Sequence, residues 1–221
     1  MRFLFSSCLL LFYSALYAQP IADSLTTLEV GLGAGTWTNQ VGFSYNVLLE
    51  GTTVADLNSA NFGLALRYFN NKTFGFQAEI GYDQGGWQEI QDSMDLYYRR
   101  SIDFLTIQMF TQVAVGQGRF RPLIQGGPFV SFPLADQEFI PQTFTIPSLE
   151  RSYYQTPYPF RITYGLIFGG GFYYQLGKLS IQLEGRFLAG FSDLYRSGQT
   201  QAETSRRRSF GGRLTAWYRL R

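Results

Sequence analysis

The stretch KLSIQLEGRFLAGF, residues 178–191, decides how this chain is read. Leu179, Ile181, Leu183, Phe187, Ala189 and Phe191 share one parity, together with Gly185. Ser180, Gln182, Glu184 and Arg186 share the other, followed by Leu188 and Gly190. Successive side chains of a strand point to opposite faces, so this strand meets an apolar medium on one face and a polar one on the other. Its length suits a tilted strand crossing a bilayer, which takes ~9–11 residues.

The same alternation recurs at 25–37, 60–69, 73–83, 101–115, 119–131, 159–174 and 206–220. Phe74, Phe76, Ile80 and Tyr82 oppose Gly75, Gln77, Glu79, Gly81 and Asp83. Phe210, Leu214, Ala216, Tyr218 and Leu220 oppose Arg207, Arg213 and Arg219. Pro122 and Pro128 withhold ladder donors, so bulges are expected in the stretch 119–131. The connections alternate: long at 38–59, 84–100, 132–157 and 192–205, short at 70–72, 116–118 and 175–177. Short periplasmic turns and long external loops give transmembrane barrels that rhythm. The fold class expected is all-β, an eight-stranded antiparallel up-and-down transmembrane β-barrel. A soluble lipocalin-like barrel also has eight strands, but it turns its apolar face inward and carries Lys and Glu outside. Here the polar face is rich in glycine and poor in charge, as a narrow lumen requires.

Composition agrees. Aromatic residues make up 18 % of the 221, and charged residues only 15 %, against a usual ~25 %. Residues 1–18 read as a signal peptide: Arg2 opens it, an apolar core follows, and Ala15 and Ala18 precede Gln19. Residues 19–221 then form one outer-membrane β-barrel domain. The single cysteine, Cys8, leaves with the signal, so the mature chain is expected to have no disulfide and no thiolate metal site. A net charge of +2 gives no case for nucleic acid as a partner.

The chain has no histidine. Outer-membrane hydrolases generally rest on a histidine base, so no enzymatic activity and no cofactor are expected. Asp92, Asp95 and Asp103 read as solvated loop charges rather than a calcium site. The segment GLGAG at 31–35 lacks the full dinucleotide-loop spacing and reads as lumenal glycine.

Three sets of residues are the candidates for function. Glu29, Arg67, Glu79, Glu184, Arg186 and Arg213 all fall on the polar parity. An eight-stranded interior is just wide enough to be filled by side chains, and buried charges must be paired. A lumenal ion-pair network that plugs the barrel is therefore expected, with a small-solute pore lined by the same residues as the alternative. Tyr153, Tyr154 and Tyr158, in the third long connection, are the candidate partner surface. Arg206, Arg207 and Arg208, at the external end of the last strand, are candidates for contact with lipopolysaccharide phosphates. Tyr68, Phe69, Tyr82, Tyr164, Tyr173, Tyr174, Trp217 and Tyr218 lie near strand ends, where aromatic girdles form.

Three longer stretches resemble the PorT-type family of outer-membrane β-barrels. They are FGFQAEIGYDQGG at 74–86, IDFLTIQMFTQVAVGQGRFRPLIQGGPFVSF at 102–132 and FGGGFYYQLGKLSIQLEGRFLAGFSDL at 168–194. The chain departs from that pattern at Thr106-Ile107-Gln108, where the family often has proline, and at the terminal Tyr218-Arg219-Leu220-Arg221. The resemblance implies a structural, adhesion or secretion-accessory role in the outer membrane. Its partners would be outer-membrane lipid, lipopolysaccharide and proteins of the cell envelope or of a secretion system.

Overall fold

The computed structural model describes residues 26–45, 52–91, 96–116, 118–141, 153–159, 161–196, 200 and 202–220. The signal-peptide reading, Cys8, Asp92 and Asp95 lie outside them.

The strands are β1 (Thr27–Tyr45), β2 (Thr52–Ala55), β3 (Leu57–Phe69), β4 (Phe74–Gln91), β5 (Leu96–Ala114), β6 (Phe120–Phe139), β7 (Thr163–Leu176), β8 (Leu179–Asp193) and β9 (Ala202–Arg219). The short β2 and β3 both pair with β4 and flank Asp56, so they make one interrupted strand. Eight antiparallel strands then close a ring: β1 on β3, then β4, β5, β6, β7, β8 and β9, with β9 returning to β1. Through the lipid-facing belt each strand has a neighbour on both sides, which a lipid environment demands of any strand that crosses it.

The opening stretch lies in β8 with the expected phase. Leu179, Ile181, Leu183, Phe187 and Phe191 face outward, and Gln182, Glu184 and Arg186 face inward and are buried. Around the ring, Leu32, Leu64, Ile124 and Phe210 stand 59–67 % exposed on the outer wall. A wall that displays its largest apolar side chains is made for lipid, not water.

The strands are longer than the alternation indicated. β1 runs on through residues 38–45, β4 reaches Gln91, β6 reaches Phe139, and β9 starts at Ala202. Much of what reads as four long loops is therefore strand. The reason is a change of medium. Near the short turns, Phe74, Phe76 and Ile80 of β4 and Ile107 and Met109 of β5 face outward to lipid. Further along, Trp87 of β4 and Tyr98, Ile102 and Phe104 of β5 face inward and are fully buried, while Arg99 is exposed on the outer wall. Beyond the bilayer the outside is water, so the apolar parity inverts. β7 begins only at Thr163, later than the expected 159.

Pro128 acts without a change of register. The β5–β6 ladder omits Met109 and Phe110, opposite Pro128 and Gly127, and resumes at Thr111 with Gly126. The true register shift falls between Asp103, opposite Ala135, and Phe104, opposite Pro133.

The aromatic set divides. Tyr68, Tyr164, Tyr174 and Tyr218 are exposed on the outer wall, and Tyr82 lies against Phe62 there with ring centroids 5.1 Å apart. Phe69, Tyr173 and Trp217 point into the lumen instead, at 5 %, 5 % and 1 % exposure, so they belong to no girdle. Each is on the lumenal parity of its strand, beside Arg67 on β3 or facing it across the ring.

Candidate functional site

The six lumenal charges meet in one connected network. At its periplasmic end Arg67 of β3 donates from Nε to Glu29 Oε2 of β1 at 3.0 Å, with a second bond from Nη2. Its Nη1 donates to Gln182 Oε1 at 2.5 Å. The guanidinium lies 4.1 Å from the centroid of Trp217 and 5.1 Å from those of Phe69 and Tyr173. A desolvated cation on aromatic faces gains substantially from their quadrupoles.

Gln182 donates onward to Glu184 Oε2 at 2.9 Å, and Gln125 donates to the same oxygen at 2.6 Å. Arg186 is the hub. Its Nε donates to Glu184 Oε1 at 2.8 Å, and its Nη1 and Nη2 reach Glu79 at 2.8 and 2.6 Å. Nη1 also reaches Gln108 Oε1 at 3.0 Å. Arg213 stands 3.8 Å from Glu79 and donates to Asn61 Oδ1 at 2.7 Å. Three arginines thus face three glutamates, all 0–6 % exposed.

The polar parity identified these charges. It did not single out Gln182, Gln125, Gln112, Gln77 and Gln108, which carry the hydrogen bonds between them. Their signal was their place on that same parity, because a buried carboxylate needs donors beyond a single arginine. Nor did it pair Asp83 with Arg207, which are 2.7 Å apart in the lumen nearer the external end. Glycine makes room for these side chains. A Cβ on Gly171 would stand 2.1 Å from the Leu183 carbonyl oxygen and 2.6 Å from Glu184 Cα.

Apolar residues share the lumen with the charges. Trp37, Phe110, Phe129, Ile167 and Leu188 form a buried cluster, and Arg186 lies over the Phe110 ring at 4.9 Å. Between Trp37, Asn61, Glu79, Asp83 and Arg213 a space of about 10 Å³ remains, room for about one water. A shallow mouth of about 190 Å³ opens at the periplasmic end between Glu29, Arg121, Tyr173 and Arg219.

The external end is closed by the tyrosines expected on a partner surface. Tyr153, Tyr154 and Tyr158 are 4 %, 5 % and 2 % exposed and pack with Val41, Trp87, Tyr98, Ile102, Phe104, Leu194 and Tyr195. They form a cap inside the barrel and present no surface to a partner. Their chain segment is drawn in by Arg100, which donates to the Tyr153 carbonyl at 3.0 Å and the Thr156 carbonyl at 2.8 Å. Asp136 accepts from Arg100 Nε at 2.9 Å; against the effect of burial, this partner holds the guanidinium above its ordinary pKa. Glu89 accepts from both the Tyr153 and Tyr154 hydroxyls and from Trp87 Nε1 at 2.8 Å. Burial pushes the Glu89 carboxyl above its usual range, against the opposing pull of those three donors.

The Arg206–Arg208 triplet also divides, because successive residues of β9 face opposite ways. Arg206 and Arg208 are exposed on the outer wall, whereas Arg207 is 1 % exposed in the lumen. The lipid contact expected of all three is thus open to two of them. Asp103 is half-buried on the outer wall and accepts from Gln84 Nε2 at 2.8 Å. Among the described residues no group of three carboxylate, histidine or cysteine side chains is placed to hold a metal ion.

A closed eight-stranded ring with a lipid-facing wall and a charged, filled interior is an outer-membrane type of transmembrane barrel. Residues 17–196 match the family described as "Outer membrane protein beta-barrel domain", and the chain belongs to it. This places the protein in the outer membrane of a Gram-negative bacterium. The outer membrane protein OprG of Pseudomonas aeruginosa has a similar fold, with a TM-score of 0.57 and 11 % identity over 89 % of this chain and 97 % of that one. Neisserial surface protein A aligns over 86 % of this chain and 96 % of its own, at 10 % identity and a TM-score of 0.47. Ail of Yersinia pestis aligns over 87 % and 98 %, at 12 % identity and 0.42. No curated protein matches the chain.

Proposed function

We propose that this protein is a closed, non-enzymatic barrel that acts at its surfaces, in a structural, adhesion or secretion-accessory role within the outer membrane. The observation that carries this reading is Arg186, which ties Glu79 of β4 to Glu184 of β8 across the lumen. A solute would have to break buried charge pairs to pass, and breaking one such pair costs about 3–5 kcal/mol. The tyrosine cap supports the same reading from the external end. The absence of histidine supports the non-enzymatic part. Kinship with PorT-type barrels, removal of residues 1–18 and partners in the cell envelope belong to this proposal. So does contact between glycolipid phosphates and Arg206 and Arg208.

The alternative is a small-solute channel. The test is flux of small sugars and amino acids into proteoliposomes, with folding checked by heat-modifiable gel migration. Folded protein without flux is the expected result. Flux that responds to Arg186→Met or Glu184→Gln would put the channel first.

A further inference from the structure

On the outer wall of β4, β5 and β6, above the lipid-facing belt, lies a groove of about 690 Å³. Its floor is Ser101, a small side chain 5 % exposed, which pairs with Gly86 of β4 on one side and Gln137 of β6 on the other. Gly86 has φ +139°, and a Cβ there would stand 2.0 Å from the Arg100 carbonyl oxygen, so a side chain is excluded and the depression is built into the backbone. The next row places Arg99 between Gln88 and Phe139. Among the described residues, the side chains of Gln88, Arg99 and Gln137 make no hydrogen bond or ion pair to the protein. Phe139 is 62 % exposed beside them.

We infer that this groove binds the core oligosaccharide of the glycolipid that stands beside the barrel in the outer leaflet. Each sugar hydroxyl both donates and accepts. Amide side chains offer both functions, and arginine offers several donors in a fixed fork. An exposed aromatic ring suits the weakly positive C–H face of a pyranose.

Height along the wall selects the source. Tyr82 and Leu105 are paired on the outer wall at the edge of the apolar belt, and the next outward pairs are Gln84 with Asp103, Gly86 with Ser101 and Gln88 with Arg99. At ~3.3 Å per residue the groove spans roughly 7–20 Å of strand beyond the belt, where the saccharide of an outer-leaflet glycolipid lies. The inference rests on the outer-membrane location and is independent of whether the lumen conducts. It is also separate from the proposed phosphate contact, because β9, which carries Arg206 and Arg208, is opposite β5 in the ring.

The test titrates the full-length folded protein in detergent micelles with lipopolysaccharide bearing a core oligosaccharide and, separately, with lipid A. Bound glycolipid is read by native mass spectrometry. Core-bearing lipopolysaccharide is expected to bind about tenfold more tightly than lipid A, the scale of one or two charge-assisted hydrogen bonds. The combined Gln88→Ala, Arg99→Ala and Phe139→Ala variant should lose that preference and keep its affinity for lipid A. Arg206→Ser with Arg208→Ser should weaken both glycolipids alike. Delipidated core oligosaccharide should reduce binding of core-bearing lipopolysaccharide to the wild-type protein, a measurement that needs no variant. Equal affinity for lipid A, a core preference that survives the triple substitution, or no competition by free core oligosaccharide would each overturn the inference.

Discussion

Replacing Arg186 with methionine keeps the length of the side chain and removes the cation that bridges Glu79 and Glu184. Arg213 remains, but at 3.8 Å from Glu79. Breaking a buried pair by removing one partner costs about 3–5 kcal/mol. Two carboxylates lose their partner here, and only Arg213 and the neighbouring glutamines are left to hold them among the described residues. The expected loss is therefore about 3–5 kcal/mol. Urea unfolding in lipid vesicles, followed by heat-modifiable migration and tryptophan fluorescence, measures it. Adding Glu79→Gln and Glu184→Gln to the variant should recover most of the loss at pH 7, because no buried charge is then left unpaired. A loss below about 1 kcal/mol, or no recovery on adding the two glutamine substitutions, would refute the filled-lumen reasoning and point to a hydrated interior that screens these charges.

Other outcomes follow from the same structure. Arg207→Met should destabilise by about 3 kcal/mol because it leaves Asp83 unpaired, whereas Arg206→Ser and Arg208→Ser should stay within about 0.5 kcal/mol; urea midpoints separate them. Gly171→Ala should cost about 1–3 kcal/mol by driving a methyl group into the Leu183 carbonyl and the Glu184 backbone, seen as a lower temperature for loss of the folded gel band. Burial holds the Glu89 proton more tightly in the folded protein than in the unfolded chain. Glu89 therefore favours folding most below the ordinary carboxyl pKa, and that advantage is lost as pH rises through the raised value. The urea midpoint of wild type relative to Glu89→Gln should accordingly fall as pH is raised from 4.5, and a difference that is flat with pH would count against the buried cap.

Period-two alternation by itself determined the barrel. A strand between lipid and a polar lumen must alternate, and 179–191 does so with little ambiguity. The same parity placed Glu29, Arg67, Glu79, Glu184, Arg186 and Arg213 on the inner face, because an even–odd count along a strand is a statement about direction. It also showed that Arg207 shares a face with Arg213, although the arginine triplet read as a run suggested a common surface. What parity does not determine is the partner across the lumen. Arg186 meets Glu79 only because closure brings β8 and β4 within side-chain reach, 107 residues apart in sequence. Nor does it reveal the cap. Beyond the bilayer the outer medium changes from lipid to water, the apolar parity inverts, and Trp87, Tyr98 and Tyr153 pack inward where a uniform rule expects loops. Alternation reports the contrast between the two sides of a wall; which side is the interior, and what fills it, is decided only once the wall has closed.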